Sequence, residues 1–269
     1  MEDINIYFLA NQKLWNNKVD VHVASDFYNV ERFKAGGTSL NAVELQEVGD
    51  VSGKTLLHLQ CHFGMDTISW ARKGAITTGL DFSDKAISQA NQLAKELQVN
   101  SRFVCANVYD TDLYIREQFD IVFTSYGTIG WLPDLKKWAN VIAERLKPGA
   151  MFYIVDFHPI VWMFDNMFTH IQYPYFNEGK PFEEVSSGTY ADRSADLHDT
   201  EYGWNHSISD ILNSLIEAGL TIEFFNEHKS SPYHSFRTMT EVEPGSFQIT
   251  GLENKIPLLF SLKATKPTN

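Results

Sequence analysis

The 269-residue chain has few cysteines and no excess of positive charge. Its two cysteines, Cys61 and Cys105, lie inside apolar, strand-like segments, which predicts buried reduced thiols rather than a disulfide framework. The net charge of −12 gives a surface that repels phosphate backbones. The composition therefore argues against nucleic acid as a partner.

Long apolar runs and metal-binding patterns are absent as well. No apolar stretch reaches the ~18 residues of a membrane span, and residues 1–5 lack the charged-then-apolar pattern of a signal peptide. Neither Cys-x-x-Cys nor His-Glu-x-x-His occurs, and the histidines are scattered, so no metal site is expected. These absences predict a soluble cytoplasmic protein with no membrane partner.

What the chain does contain is an alternation of strand-like and helix-like segments from residue 54 onward. Strands are predicted at 55–60, 76–81, 102–106, 119–125 and 150–156, with helices at 65–73, 84–97, 112–117 and 134–145. The alternation predicts an α/β fold in which a parallel sheet carries helices on both faces. Ligands of such sheets bind outside the carboxyl ends of the strands.

Two strand ends stand out within this pattern. The segment 54–64 reads as a buried strand, a tight turn and the start of a helix at Gly64. The next strand ends in Asp81, 17 residues after Gly64. That is close to the roughly 20 residues between a glycine-rich turn and a ribose-binding acid in nucleotide-binding units. An adenosine can lie across both strand tips, with its ribose hydroxyls donating to Asp81. The alternative role of Asp81 is to stabilise the start of the following helix.

These residues also carry a resemblance. The sequence of 57–64, Leu-His-Leu-Gln-Cys-His-Phe-Gly, resembles the first motif of class I S-adenosylmethionine-dependent methyltransferases, which usually reads L-D-L-G-C-G-x-G. Asp81 falls where that family places its ribose-binding acid. The match continues through 103–109, 119–123 and 146–149, and it covers roughly residues 50–157. The resemblance implies S-adenosylmethionine as the cofactor.

The same resemblance implies a Rossmann-like, doubly wound sheet of seven strands, mostly parallel, with an antiparallel last strand. A hairpin of 246–250 with 258–265 is expected at the sheet edge. We interpret 1–269 as a single methyltransferase domain that has an N-terminal helical extension at 1–50.

The first motif departs from the family pattern. His58 replaces the usual acid, and Gln60 and His62 replace two glycines, so that only Gly64 remains. Glycine serves in such turns because it adopts unusual backbone angles and lets a ligand approach the backbone closely. Gln60 and His62 would therefore either crowd the cofactor or contact it directly.

The predicted cofactor site combines the strand tips with one N-terminal aromatic residue. It comprises Gln60, Cys61, His62, Gly64, Asp81, Phe82, Asn107, Val108, Ser125 and Tyr28. By resemblance, Asn107 accepts a hydrogen bond from the adenine amino group and the Val108 amide donates to the ring. Phe82 either flanks the adenine or belongs to the core, and Asn107 is alternatively a turn residue.

Catalytic candidates follow the fourth and fifth strands. Tyr126 lies where the fold presents the transferring methyl group, and Trp131 is expected to line the same cleft. His158 is a candidate general base because an ordinary histidine pKa lies near the working pH. The alternatives are a core aromatic residue for Tyr126 and a structural role for His158.

Residues 158–206 interrupt the alternation with a run rich in aromatic residues. This insertion leaves the ligand side of the fifth strand, and its aromatic content argues against disorder. We interpret it as a cap that builds an acceptor pocket. A structural insertion on the sheet edge is the alternative.

The sequence thus predicts an enzyme that transfers a methyl group from S-adenosylmethionine to a small-molecule acceptor by in-line displacement. A catalytically inactive protein that binds S-adenosylmethionine or S-adenosylhomocysteine is the second hypothesis. A nicotinamide-dependent oxidoreductase ranks last, because residues 60–63 offer a pyrophosphate few of the glycines it needs. The acceptor, the atom methylated and the oligomeric state stay open.

Overall fold

The computed structural model describes residues 4–268. Its helices are α1 (Ile4–Ala24), α2 (Val30–Lys34), α3 (Ala42–Val48), α4 (Met65–Arg72), α5 (Asp84–Glu96), α6 (Thr111–Tyr114), α7 (Leu135–Arg145) and α8 (Ile208–Glu217). Its strands are β1 (Thr55–Leu59), β2 (Ile76–Asp81), β3 (Ser101–Cys105), β4 (Phe119–Ser125), β5 (Leu146–Phe157), β6 (Phe182–Ser187), β7 (His198–Gly203), β8 (Thr221–His228), β9 (Met239–Glu243), β10 (Ser246–Ile249) and β11 (Leu259–Thr265).

Seven of these strands form one sheet in the order β3-β2-β1-β4-β5-β11-β8. Strands β1 to β5 run parallel, and β11 is antiparallel to both β5 and β8. The Rossmann-like α/β fold predicted from the sequence is therefore confirmed. The strand order reverses between β1 and β4, which opens a crevice at the carboxyl ends of these strands.

The prediction that 246–250 and 258–265 pair as a hairpin is wrong. Strand β10 pairs with β9 in a separate two-stranded sheet, whereas β11 inserts between β5 and β8. The reason lies in burial: β11 is buried at almost every position, which suits an interior strand, while β9 is mostly exposed.

Both faces of the large sheet are covered by apolar side chains. On one face Leu57 and Phe152 pack with Trp138 of α7, which is fully buried. On the other face Phe123 packs with Trp70 of α4. Burying side chains of this size contributes about 1.5–3 kcal/mol each, so the strand tips rest on a rigid base.

The insertion at 158–206 contains a short 3₁₀ turn and the antiparallel hairpin β6–β7. The hairpin packs against α1. The Asn11 side chain donates to the Tyr202 carbonyl at 2.8 Å and accepts from the Tyr202 amide at 2.9 Å. The N-terminal helix and the insertion therefore form one layer over the ligand side of the sheet. The interpretation of 1–269 as one domain with a cap stays a prediction.

The cysteine prediction is half wrong. Cys61 is buried, but Cys105 is exposed because it ends β3, the edge strand of the sheet. Both thiols are free. Within residues 4–268, no helix combines the length and the apolar character needed to cross a membrane.

Candidate functional site

A cavity of about 940 Å³ lies at the carboxyl ends of β1, β2 and β4, beneath α1 and the insertion. This volume is near the upper end of the range for small-molecule pockets, about 300–1,000 Å³. The cavity brings together all but one of the predicted site residues: Tyr28, Gln60, Cys61, His62, Gly64, Asp81, Phe82, Asn107, Val108, Ser125, Tyr126 and Trp131.

The turn after β1 has positive φ angles at three positions, only one of which is a glycine. Gln60, His62 and Gly64 have φ angles of 56°, 50° and 82°. A left-handed conformation costs a residue with a Cβ about 1–2 kcal/mol, so contacts around the turn must hold it. The Gln60 side chain supplies one of them by donating to the Thr128 carbonyl at 2.9 Å.

Asp81 lies at the tip of β2 and is fixed by two backbone amides. Its carboxylate accepts from the His62 amide at 2.8 Å and from the Ser83 amide at 2.9 Å. Burial raises the Asp81 pKa to about 6, against the opposing effect of these hydrogen bonds. Asp81 thus presents to the cavity a carboxylate that is mostly ionised at neutral pH.

A second carboxylate, which the sequence analysis missed, lies on the other side of the same turn. Asp66, in the first turn of α4, accepts from the Ser125 hydroxyl at 2.9 Å, and burial raises its pKa. Its partners are hydroxyl groups, and no Lys, Arg or His among the described residues forms an ion pair with it. The sequence feature that could have indicated Asp66 as a site residue is its position two residues after Gly64.

His58, at the place of the family acid, supplies no charge. Its Nδ1 lies 2.9 Å from the Thr67 hydroxyl, and burial lowers its pKa to about 3, so the ring is neutral at neutral pH. Asp66 and Asp81 are therefore the carboxylates that flank the turn.

The loop after β4 is organised by Asp156, at the end of β5. Its carboxylate accepts from the amides of Gly127, Thr128 and Ile129. This fixes Tyr126, which has a φ of 43° and whose hydroxyl donates to Glu44 at 2.9 Å. Trp131 follows in the same loop, and its indole donates to the Gly127 carbonyl at 2.8 Å.

At the tip of β3, the Asn107 side-chain oxygen accepts from the Tyr109 amide at 3.0 Å and caps a 3₁₀ turn. The oxygen that was predicted to accept from adenine is therefore already engaged. This contact agrees with the alternative prediction that Asn107 is a turn residue. The neighbouring Val108 is buried. The Asn107 amide group and the Val108 backbone are what this tip offers a ligand.

Helix α1 covers the turn with aromatic and histidine side chains. His22 Nδ1 lies 2.9 Å from His62 Nε2. Burial lowers the pKa of His22 to about 2 and that of His62 to about 3, so both rings are neutral. Trp15 packs edge-on against Trp131 with ring centres 5.4 Å apart. The cofactor turn is thus shielded from solvent on the N-terminal side.

Lys18 of α1 forms an ion pair inside the cavity wall, with its Nζ 3.5 Å from Glu201 of β7. Burial lowers the Lys18 pKa and raises the Glu201 pKa. The ammonium group also lies 5.1 Å from the Trp15 ring centre, a cation–π distance. Two charged side chains thereby join α1 to the cap hairpin.

His158 is the one predicted site residue that the structure does not bring to the cavity. Its Nε2 lies 3.0 Å from Glu227 of β8, and its Nδ1 accepts from the Ile160 amide at 3.2 Å. Side chains alternate along extended chain, so Phe157 faces the cavity and His158 faces away. A general-base role for His158 therefore has no geometric support. Among residues 4–268, no group of three or more His, Cys, Asp or Glu could hold a metal ion.

The chain is similar in sequence to known methyltransferases. The model of a family described as "methyltransferase domain" matches residues 56–149. An uncharacterized methyltransferase from Synechocystis sp. is 28% identical over 131 residues, which are 48% of this chain and 59% of that protein. A ubiquinone biosynthesis O-methyltransferase from Coxiella burnetii is 28% identical over 119 residues, 42% of this chain and 49% of that protein. The chain thus spans about half the length of the curated relatives it matches.

Solved structures show the same fold. An S-adenosylmethionine-dependent methyltransferase from Clostridium acetobutylicum superposes with a TM-score of 0.56 at 15% identity, covering 96% of this chain and 98% of that one. The family resemblance stated from the sequence is confirmed. The enzyme class inferred from it is that of the matched domain, and S-adenosylmethionine is the cofactor named for the structural relative.

Proposed function

We propose that this chain, which carries a methyltransferase domain of the class I S-adenosylmethionine-dependent family, transfers the methyl group of S-adenosylmethionine to a small-molecule acceptor. The observation that carries the proposal is the Asp81 carboxylate, held at the tip of β2 by the amides of His62 and Ser83. A carboxylate can accept from both ribose hydroxyls in charge-assisted hydrogen bonds. The turn at 60–64 lies beside it, where the rest of the nucleoside would pass.

The two carboxylates that flank the turn suit the two polar ends of this cofactor. Asp81 would hold the ribose, and Asp66 on the β4 side would accept from the ammonium group of the methionine portion. Asp66 is half-buried and lacks a cationic partner among the described residues. A buried carboxylate is stabilised when a cation completes its hydrogen bonds. Asn107 and Val108 would contact the adenine at the tip of β3.

When bound, S-adenosylmethionine supplies an electrophilic methyl group on a sulfonium. The side chains around the expected methyl position are Ser125, Tyr126 and Trp131. Burial and the nearby Glu44 raise the Tyr126 pKa well above its ordinary value, so this phenol stays protonated. Tyr126 would orient the acceptor within the cavity. Rate acceleration then comes mainly from proximity, and we assign no general base.

A small-molecule acceptor fits the volume of the cavity and the acidic composition of the chain. The insertion at 158–206 contributes part of the wall beyond Tyr126, including Tyr190 and Trp204. This supports its interpretation as a cap over the acceptor. The Coxiella burnetii relative is named for ubiquinone biosynthesis and a Triticum aestivum relative for phosphoethanolamine N-methylation. The acceptors that these names suggest are small molecules.

Calorimetric titration with S-adenosylmethionine and S-adenosylhomocysteine tests the proposal. Wild type should bind both, and Asp81→Asn should lose about tenfold to a hundredfold in affinity, the value of one or two charge-assisted hydrogen bonds. Asp112→Asn, which removes the same charge from the exposed surface, should bind like wild type. Failure of the folded wild type to bind either ligand would exclude the proposal.

A second candidate, a catalytically inactive S-adenosylmethionine-binding protein, is favoured by the replacement of two motif glycines with Gln60 and His62. Assay of tritiated S-adenosylmethionine with a panel of hydroxyl and amine acceptors separates the two. Transfer of label to any acceptor establishes the methyltransferase. Tight binding without transfer is the result that the second candidate predicts.

A further inference from the structure

The cavity is lined by three arginines, Arg32 of α2 and two that come from loops. Arg193 comes from the loop between β6 and β7, and Arg237 comes from the loop between β8 and β9. The Arg193 Nη2 donates to the Ser235 carbonyl at 3.0 Å, which ties the first loop to the second. The two arginines thus face the same space from separate parts of the chain.

Neither guanidinium has a carboxylate partner among the described residues. Burial and the positive charge of Arg237 both lower the Arg193 pKa, and no carboxylate offsets them. Arg193 is half-buried and Arg237 is exposed at the cavity wall. Lys18, which lines the same cavity, has Glu201 at 3.5 Å.

Like charges held close together raise the energy of a structure unless an opposite charge joins them. Guanidinium groups bind carboxylate and phosphate oxygens through paired N–H donors. An anion with oxygen acceptors would therefore be attracted to this wall, and it would enter from the open side of the cavity.

The surface between the arginines and the predicted methyl position is aromatic. The Phe236 ring packs against Phe157 and Trp162, with ring centres 5.3 and 5.7 Å apart. The Tyr233 ring packs against Tyr126 at 5.0 Å. A ligand that spans this distance would have an apolar, preferably aromatic, body and a charged end.

We propose that the methyl acceptor is an organic anion, whose apolar body lies along Tyr233 and Phe236 and whose carboxylate or phosphate group binds Arg193 and Arg237. This inference rests on the proposed function, because it names the substrate class of the same cavity. It assigns a binding role to Arg193 of the insertion at 158–206 and to Arg237 of the loop between β8 and β9, neither of which the sequence analysis singled out.

The test uses four probes that share a phenyl ring, with the full-length protein saturated with S-adenosylhomocysteine. Phenylacetate and phenyl phosphate are anionic, 2-phenylethanol is neutral and 2-phenylethylamine is cationic. Competition by saturation-transfer NMR gives their affinities. We expect at least one anion to bind about tenfold more tightly than the alcohol, and the amine to bind most weakly. The better of the two anions distinguishes a carboxylate acceptor from a phosphorylated one.

The Arg193→Gln/Arg237→Gln variant should bind the anions and the alcohol within about twofold of each other. The Lys95→Gln/Arg116→Gln variant, which removes two exposed positive charges outside the cavity, should keep the preference. It therefore controls for the change in net charge.

Four results would overturn the inference. Wild type could show no preference for the anions, or bind none of the probes. The double arginine variant could retain the preference. It could instead lose affinity for S-adenosylhomocysteine itself, which would assign the arginines to the cofactor carboxylate. Failure of wild type to bind S-adenosylhomocysteine would be a different outcome, because it would overturn the proposed function first.

Discussion

The two ends of the cavity are built in different ways. At the cofactor end, Asp81 is held by amides 2 and 19 residues away in sequence. At the cap end, the hydrogen bonds join residues much further apart. Asn11 meets Tyr202 across 191 residues, and Asn41 meets Tyr233 across 192.

The cofactor end is therefore rigid, whereas the cap end depends on contacts between segments that are distant in sequence. The cofactor end rests on strand tips whose positions the buried sheet determines, so it is in place before any ligand binds. The cap end needs α1, the β6–β7 hairpin and the loop after β8 to meet, and each contact must overcome the entropy of ordering its loop. Substitutions at the two ends should therefore have different consequences.

The largest effect is expected from Gly64→Ala, at the cofactor end. The φ of 82° costs alanine about 1–2 kcal/mol, and the new Cβ would lie 2.6 Å from the Phe103 ring. Overpacking adds about 1–3 kcal/mol, so urea denaturation should show a loss of about 3 kcal/mol or more. Gly245→Ala, at φ 71° with open space for a Cβ, should lose only the conformational part. Equal losses in the two variants would show that Gly64 is not a packing position.

The sequence predicted which strand tips line this end of the cavity, because their positions depend on local order. The approach of β1 and β2 follows from one crossover helix, so the spacing of Gly64 and Asp81 alone predicted that they meet. The turn also has the positive φ angles that glycine adopts most readily, although Gln60 and His62 occupy two of its positions. Asp66 was missed because an acid in the first turn of a helix is ordinary, and only burial distinguishes it.

The cap end could not be located in this way. Three residues of this end, Arg193, Tyr233 and Arg237, lie in loops. Loops have no regular hydrophobic pattern from which the orientation of a side chain could be predicted. His158 was misjudged for a related reason, because a shift of one residue along an extended chain reverses the side chain and places it against Glu227. Aromatic composition predicted that the insertion is ordered, but not which of its residues reach the cavity.

The next largest effect is expected at the cap end from Lys18→Met. This change leaves the Glu201 carboxylate buried without its cation, which should lower the free energy of unfolding by about 3 kcal/mol. The double variant Lys18→Met/Glu201→Gln removes both charges and should recover most of the loss. Urea denaturation of wild type and the three variants of this cycle gives the coupling. A double variant no more stable than Lys18→Met would show that the pair does not hold the cap to α1.

Asp66→Asn tests whether the second carboxylate serves the cofactor or only the fold. Loss of a charge-assisted hydrogen bond should weaken S-adenosylhomocysteine about tenfold or more. Binding of 5′-methylthioadenosine, which lacks the amino acid portion, should change less than about twofold, because its contacts lie at Asp81. Calorimetry with the two ligands makes the comparison. Equal weakening of both would assign Asp66 a structural role through Ser125.

Asp81 and Asp66 both have raised pKa values, and the Asp81→Asn variant separates the contribution of Asp81 to the pH dependence of binding. The Asp81 pKa of about 6 lies above the ordinary value of 3.8, so the free protein takes up a proton as the pH falls through 6. The ribose hydroxyls need the ionised form, and affinity for S-adenosylhomocysteine should fall below pH 6 by up to about tenfold per pH unit. His22 and His62 do not contribute, since their pKa values of about 2 and 3 leave them neutral throughout. In Asp81→Asn, the fall in affinity that comes from protonation of Asp81 should vanish. If affinity fell below pH 6 as steeply as in wild type, the titrating group would be another residue.

The smallest effect is expected where the N-terminal segment touches the insertion. The hydroxyls of Tyr28 and Tyr190 lie 2.5 Å apart, and Tyr28→Phe should lower the free energy of unfolding by about 1 kcal/mol. Tyr190→Phe should cost about the same, and the double variant no more than either, because one hydrogen bond is lost in every case. Tyr114→Phe, on the exposed surface, should change nothing. Additive losses in the cycle would mean that each hydroxyl is stabilised by its own surroundings, and the cap end would then be held mainly by Lys18 and Asn11.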